Sequence, residues 1–348
     1  MAMDTAPMMS AENPICSVCI ANYNGIDVIE AAVKSVFAQD CNFPVEIIIH
    51  DDASTDGSVD YIREKFPEVN LITSDHNVGF CISNNRMVAQ AKGEYILLLN
   101  NDAKLFPNAL NALYDHAIKK EATAGILGLP QYDAITGNLI DFGNRLDPFL
   151  NTIPNLNSKR SEVGMIIGAC LWVPKWLWTE LGGFLEYFHS LGEDIYLCCL
   201  ARLRGYEVGI IPSSGFWHRV GSSFGGGKIV KNKLSTSKKR RPLSERNKSY
   251  VIILTYPPLL FYVIFPLHIL LLMFEGIALS AIKKDPSLWR SIYWQCLRSL
   301  WNNRHLLYRM RKRIQSRRRI SERKFLTQFV FIHQKLWMLI KHGLPEIR

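Results

Sequence analysis

With 348 residues, 48% hydrophobic, 21% charged and 11% aromatic, the chain has material for one large domain plus an appendage, or for two domains. That composition excludes wholesale disorder and collagen-like repeats. The net charge of +10 is unevenly divided: residues 1–227 hold 15 Lys+Arg against 26 Asp+Glu, whereas residues 228–348 hold 26 against 5. An acidic body of −11 is therefore joined to a basic tail of +21.

The first 13 residues lack the basic start and apolar stretch of a secretory signal, so the body is expected to stay cytoplasmic. Ile15–Ala21 reads as an apolar strand ending in the turn cluster Asn22-Tyr23-Asn24-Gly25. The eight cysteines are scattered through apolar runs, and Cys16-x-x-Cys19 lacks a second ligand pair at metal-site spacing. They read as core thiols in a reducing compartment. A helix from Asp27 to Ala38 places Ile29, Val33, Val36 and Phe37 on one side, and a second strand, Val45–His50, ends in Asp51-Asp52. Helix Ser58–Phe66, strand Val69–Thr73, helix Phe80–Ala91 and strand Tyr95–Leu99 follow, and Pro107 opens another helix. Strand–helix alternation of this kind predicts an α/β fold, a mostly parallel sheet flanked by helices that binds ligands at the carboxyl ends of its strands.

Three strand ends are polar: Asn22-Tyr23-Asn24, Asp51-Asp52 and Asn100-Asn101-Asp102. Helix and turn capping accounts for Asp56 and Ser58, but not for two adjacent carboxylates at Asp51-Asp52. Asp102 at a strand end is a natural ligand for a hard divalent cation, Mn²⁺ or Mg²⁺, whose shell substrate phosphates complete. Further on, Thr123–Leu129 and Met165–Val173 read as strands, Trp176–Gly183 and Ile195–Arg204 as helices, and Asp133–Val163 as loop-rich. Glu193-Asp194 precedes the second of these helices, and Trp217-His218-Arg219 follows the strand Val208–Ile211. Residues 225–248, mixing glycine, serine and nine basic residues, read as a linker.

In order and spacing these motifs resemble the family 2 glycosyltransferases of the GT-A fold over about residues 14–225, in the branch of rhamnosyl- and galactofuranosyl-transferase-like enzymes of bacterial surface polysaccharides. The resemblance rests on the following segments: Ser17–Asn24, Asp51–Ser58, Asn77-Val78-Gly79-Phe80 with Asn84-Asn85-Arg86, Asn100-Asn101-Asp102, Gly168-Ala169-Cys170, Gly182–Glu186, Glu193-Asp194, and His218-x-x-Gly221-x-Ser223. It implies that Asp52 hydrogen-bonds the base of a nucleotide-diphosphate sugar, a rhamnose-like donor among the candidates, with Ala21, Tyr23, Gly79, Asn85 and Asn101 lining that site. It implies Asp102 and His218 as ligands of a divalent metal, Asp194 as general base in an inverting displacement, and Glu193, Gly168 and Ala169 on the acceptor side. The chain departs from the family where Asn100-Asn101-Asp102 keeps a single carboxylate, where Leu185 stands in place of an acid, and where Tyr196 follows Ile195. The Gln-x-x-Arg-Trp motif of processive synthases is absent, so transfer of one or a few sugars is expected.

Val251–Phe274 contains no Asp, Glu, Lys or Arg and is long enough to span a membrane, but Pro257-Pro258, Pro266 and His268 interrupt it. Its flanks are both strongly basic, +8 over 228–248 and +14 over 283–348. The positive-inside tendency therefore favours a re-entrant or interfacial anchor with both flanks cytoplasmic over a single span. Trp289, Tyr293, Trp294, Trp301 and Tyr308 alternate with arginines, as expected of helices lying on anionic lipid. Nucleic acid is rejected as the partner of the tail because of the neighbouring apolar segment. The expected organisation is a tail (1–13), a GT-A catalytic domain (14–225), a basic linker (226–248), an apolar anchoring segment (249–282) and a basic amphipathic helical tail (283–348). It predicts an enzyme at the cytoplasmic face of the inner membrane acting on a lipid-linked or glycan acceptor, against the alternative of a catalytically silent sugar-nucleotide-binding or scaffolding member of a polysaccharide assembly complex.

Overall fold

The computed structural model describes residues 13–119, 125–219, 228–230 and 233–347. In chain order these form β1 (Cys16–Asn22), α1 (Ile29–Phe37), β2 (Val45–Asp51), α2 (Ser58–Lys65), β3 (Asn70–Thr73), α3 (Phe80–Gln90), β4 (Tyr95–Asn100), β5 (Ala103–Leu105) and α4 (Ala109–Lys119). Then come β6 (Gly125–Gly128), β7 (Gln131–Asp133), β8 (Leu139–Asp141), β9 (Asn144–Leu146), β10 (Thr152–Pro154), β11 (Cys170–Pro174), α5 (Lys175–Leu181), α6 (Glu193–Leu203), β12 (Glu207–Ile210) and β13 (Phe216–His218). The basic half adds β14 (Lys228–Val230), β15 (Lys233–Thr236), α7 (Arg240–Thr255), α8 (Pro258–Ile282), a wide helical turn at Trp289–Trp294, α9 (Gln295–Asn302), α10 (Arg304–Ser316), α11 (Glu322–Leu326), α12 (Gln334–His342) and β16 (Glu346–Ile347).

Two compact units emerge, and they do not follow the linear order of the chain. The first takes the described residues up to Asn144, then Pro154–Ser190 and Tyr206–Arg219. The second takes Arg145–Ile153, Leu191–Gly205 and the described residues from Lys228 onward.

The first unit is built on a seven-stranded sheet in the order β12-β6-β11-β4-β1-β2-β3. Neighbouring strands run parallel except β11, which is antiparallel to both β4 and β6. Because side chains alternate along a strand, the continuous apolar runs cover both faces. Val18, Ile20, Ile47, Ile49, Leu97 and Leu99 pack with Ile29, Ala32, Val33 and Val36 of α1 in one core, together with Leu110 and Leu113 of α4. Cys19, Ile48 and Leu98 point the other way, the side on which α3 buries Cys81, Met87 and Val88. Removing one such branched side chain, as in Ile48→Ala, costs about 2–5 kcal/mol. No disulfide joins the eight cysteines, and burial pushes the thiols of Cys16 and Cys19 upward, as core thiols require. A second sheet, β5-β13-β7-β8, matters for the site because it starts at the residue after Asp102.

The second unit is helical. The stretch 240–248, expected as linker, is the first half of α7, and Arg241, Glu245, Asn247 and Lys248 are buried there. Its buried charges are all paired: Arg241 with the distant Glu275, while Glu245 accepts Lys335 Nζ at 2.6 Å and, on the same helix, Lys248 Nζ at 3.3 Å. The apolar run divides in two at Tyr256-Pro257. Residues 251–255 finish α7 in the core, and Pro258 starts α8 at the position where its missing N–H costs nothing. The open carbonyls at the end of α7 are covered by α10: Arg311 donates to the carbonyls of Ile253 (2.5 Å) and Tyr256 (2.7 Å), and Gln315 to Leu254 (3.1 Å).

Candidate active site

Hydrogen bonds between side chains knit the carboxyl ends of β4, β1 and β2 together. Asn101 Nδ2 donates to Asn22 Oδ1 at 2.8 Å, and Asn22 Nδ2 donates to Asp51 Oδ2 at 2.8 Å. The other Asp51 oxygen accepts the Ser54 N–H at 2.9 Å, which closes the turn after β2. The backbone at Gly25 passes directly over the asparagine pair, and a Cβ there would stand 2.2 Å from Asn101 Nδ2. Asp51 is thus the internal brace of the edge, and Asp52 reaches out from it. Each oxygen of Asp52 accepts a backbone N–H, from Val78 at 2.6 Å and from Gly79 at 2.8 Å. A carboxylate has about four acceptor positions, so two remain for a ligand. Gly79 holds φ at +92°, and a Cβ there would strike the His189 ring. Tyr23 is 53% exposed beside this edge, and Ala21 is half-buried on β1 opposite His50 and Asn100. Asn85 is engaged elsewhere, exchanging two hydrogen bonds with the backbone of Phe184 and so clamping α3 to the Gly182-Gly183 turn.

Asp102 and His218 meet in the same unit. The antiparallel pairing of β5 with β13 sets His218 opposite Ala103, the neighbour of Asp102. Asp102 Oδ1 lies 3.2 Å from His218 Nε2, with both side chains almost fully buried. An octahedral divalent cation with ligands at about 2.1 Å holds adjacent donors about 3 Å apart, so this oxygen–nitrogen pair fits as two neighbouring ligands. Among the described residues no group of three or more His, Cys, Asp and Glu side chains could hold a metal, so other ligands would come from substrate phosphate and water. Gln131 on β7 faces His218 Nδ1 at 2.8 Å. When its amide oxygen is turned to the ring, Nδ1–H donates and Nε2 presents a lone pair on the Asp102 side. Asp141, across β8 from Gln131, is buried and pushed up to about 6 by that burial, opposed by the Gly143 N–H, the Asn144 amide and the charge of His218.

The acid pair belongs to the second unit. Gly192 at φ +88° turns the chain into α6, so Glu193 and Asp194 occupy its first turn, where carboxylates are favoured. The turn is held to α7 by Asn247 Nδ2, which donates to the Leu191 carbonyl at 2.7 Å. Glu193 is buried, and that burial, with the charge of Asp194 next to it, raises its pKa to about 8. Asp194 is half-buried, and the Arg240 guanidinium at the start of α7 lies within electrostatic reach of both acids. Loss of solvent and the neighbouring Asp194 carboxylate thus both favour the protonated form of Glu193.

Asp52, Asn101 and Asp102 lie at strand ends as the sequence suggested, whereas His218 ends β13, a strand the sequence did not signal; Gly168 and Ala169 lie buried in the same unit beside the end of β4, where the Ala169 carbonyl accepts the Asn100 N–H at 3.0 Å. Glu193 and Asp194 fall in the other. Gly221 and Ser223 of the histidine motif, and residues 1–12, lie outside the described residues. Gln131, Asp141 and Arg240 went unnoticed. Arg240 sits inside a run of basic residues that offers no way to tell it from its neighbours, and Gln131 and Asp141 acquire meaning only through the pairing of β7 with β8 and β13.

Residues 17–175 match the family model described as Glycosyl transferase family 2. The chain is 26% identical over 213 residues to an N-acetylglucosaminyl-diphospho-decaprenol L-rhamnosyltransferase of Mycobacterium tuberculosis, covering 52% of this chain and 69% of that protein. It is 30% identical over 169 residues to the putative teichuronic acid biosynthesis glycosyltransferase TuaG of Bacillus subtilis, covering 47% of this chain and 63% of the relative. Among solved structures, GalNAc-T7 with UDP, GalNAc and Mn²⁺ superposes with a TM-score of 0.62 at 14% identity, covering 97% of this chain and 60% of that one. The last likeness is one of fold.

Proposed function

From the premise that the chain belongs to glycosyl transferase family 2 through residues 17–175 and is a glycosyltransferase, we propose that it is a membrane-associated, inverting enzyme of polysaccharide biosynthesis. It moves a sugar from a nucleoside diphosphate to a lipid-linked glycan. The names of its relatives, a rhamnosyltransferase acting on a diphospho-decaprenol glycan and a teichuronic acid enzyme, support the reaction class and the lipid-linked acceptor. The observation that carries the reading is the Asp102–His218 pair at 3.2 Å, a carboxylate and an imidazole converging after the central strand of the sheet.

In this reading Asp52 takes the base N–H with its remaining acceptor positions, and Tyr23 supplies a flat face beside it. The Asn101–Asn22–Asp51 chain keeps that edge rigid before substrate arrives, so little ordering is left to binding. Asp102 and His218 hold a divalent cation, which when bound offsets the negative charge that the diphosphate gains as the sugar leaves. Gln131 keeps the His218 ring in one orientation. Asp194, ionised, removes the proton from the attacking acceptor hydroxyl, and protonated Glu193 donates a hydrogen bond to the acceptor. One carboxylate with the leaving group and another with the nucleophile suit a single in-line displacement with inversion.

The test is a thermal-shift screen of nucleotide sugars with and without Mn²⁺, followed by transfer assays on the donor found. We expect Mn²⁺ to enhance stabilisation by the donor in the wild type and to lose that effect in Asp102→Asn and His218→Ala. Stabilisation without transfer leaves the silent sugar-nucleotide-binding reading, neither effect leaves the scaffolding one, and either outcome overturns this reading.

A further inference from the structure

α8 is 25 residues long and contains a single charged side chain, Glu275. Its residues partition into two faces by exposure, although both are apolar. Leu260, His268, Leu272, Gly276 and Leu279 are buried at helical spacing, while Leu259, Tyr262, Val263, Leu270, Phe274 and Ile277 are exposed at the same spacing. Tyr262 and Phe274 remain 74% and 72% exposed, and no charge interrupts this face. A contiguous outer face of this size marks an interaction surface.

The buried face says how that surface can be used, because polar partners fasten it along most of its length. At the start, the Leu259 N–H donates to Glu322 at 3.2 Å, and the Arg311 guanidinium stacks 4.1 Å above the Phe261 ring. Midway, His268 meets Ser249 of α7 at 2.8 Å. Near the far end, Glu275 binds Arg241 of α7 and Lys335 of α12 at 2.9 Å. Gly276 lets the helix touch Tyr293 and Trp289, where a Cβ would come within 2.7 Å of both rings. From Leu259 to Glu275 the helix advances about 24 Å, most of a hydrocarbon core. For α8 to cross a bilayer, the flanking α7, with Arg241, Glu245 and Lys248, would have to enter with it, placing several charges in hydrocarbon.

We propose that α8 lies in the plane of an anionic bilayer, its outer face inserted among the acyl chains and its inner face kept on the protein. This deepens the membrane-association part of the proposed function and rests on it. Two further features favour lipid as the occupant. Trp294, Trp301 and Tyr308 are exposed in the helical segment after α8, with Arg304 stacked 4.4 Å over Trp301 and Arg290, Arg298 and Arg309 exposed as well. The half of the chain containing α8 has a net charge of +21, which complements anionic headgroups and repels a second copy of itself. The acid pair on α6 belongs to the same compact unit, so the proposed base is carried by the element set that meets the membrane where a lipid-linked acceptor resides.

The experiment uses the full chain with a spin label at Tyr262→Cys, Leu270→Cys or Ile277→Cys, mixed with vesicles of phosphatidylcholine alone or with phosphatidylglycerol. Label depth is read from collision rates with oxygen and a polar nickel complex. We expect binding to the mixed vesicles and one shallow depth at all three positions. A depth changing monotonically through the bilayer centre would show a span and overturn the proposal. Labels remaining in water, or buried in a concentration-dependent dimer without vesicle binding, would overturn it as well. Leu270→Glu with Phe274→Glu should weaken vesicle binding roughly tenfold or more, and unchanged binding would count against this face. Donor turnover of the wild type in detergent is measured in parallel. Its absence with shallow labels removes only the enzymatic reading, and its presence with a depth gradient removes only this one.

Discussion

At the scale of single residues, the acid pair makes the sharpest demands. Asp194→Asn removes the acceptor of the hydroxyl proton and should lower transfer by about 10²–10⁴-fold without changing donor-induced stabilisation. Glu193 behaves differently. Its folded pKa is raised to about 8, so below that pH it is protonated, and above it a second negative charge appears beside Asp194. Wild-type activity should therefore fall as pH rises through about 8. Glu193→Gln, which copies the protonated form, should keep most of the neutral activity and lose that alkaline decline; a profile identical to wild type would show that Glu193 does not titrate there. Gly79 gives a backbone prediction. Any side chain must adopt a φ near +92° and displace His189, so Gly79→Ala should cost about 1–3 kcal/mol of stability, read by denaturant unfolding, and weaken donor binding by misplacing the N–H that holds Asp52. These residues were legible as types and positions, since polar groups at the ends of apolar strands have few other uses. Their partners were not. That Asp51 is the brace and Asp52 the outward member depends on which backbone N–H groups fold back to meet them.

Among secondary-structure elements, the ion network on α7 is a buried one that geometry makes worthwhile. Glu245 faces Lys248, Lys335 and Arg241, whose charges outweigh the cost of its burial and depress its pKa. A depressed carboxylate adds stability that is fully present above its unfolded pKa, near 4.5, and is lost as pH falls through the lower folded value. Glu245→Gln leaves buried cations without their counter-charge and should destabilise by about 3–5 kcal/mol at neutral pH. The gap between variant and wild type should close in acid below pH 4.5, as checked by denaturant unfolding across pH. Strands β1, β2 and β4 and helices α1 and α3 were readable to within a residue or two, because apolar period and local turn chemistry agree there. Residues 225–248 read as a linker because nine cations among glycines and serines look solvated. The partners that convert part of it into a helix core come from elsewhere in the chain: Glu275 pairs with Arg241, and Lys335 with Glu245. Met165–Val173 contracts to a strand beginning at Cys170, since only those residues pair with β4.

For the whole molecule, the contrast between a −11 body and a +21 tail predicts a salt effect. Exposed charges are screened over about 10 Å at 0.1 M salt, so sedimentation with anionic vesicles should weaken as salt rises from 50 to 500 mM, while a residual, salt-resistant part reports the apolar face of α8. Binding indifferent to salt would mean that the basic tail takes no part. The fold class was legible because strand–helix alternation dominates the first 120 residues; the division into compact units was not. α6 lies in sequence between the sheet strands β11 and β12, yet its ends are tied into the helices: Arg204 donates to the Arg317 carbonyl at 2.8 Å, the Arg319 N–H donates to Leu203 at 2.8 Å, and Asn247 holds Leu191. This interleaving constrains how such a chain can be inherited. A single crossover near residue 227, which looks like a clean seam between a catalytic half and a basic tail, would give a hybrid whose α6 comes from one parent and whose α7 and α10 come from the other. Exchange of a whole unit requires breakpoints near 144, 154, 190 and 206 as well, so the basic tail and α6 should change together among descendants or not at all.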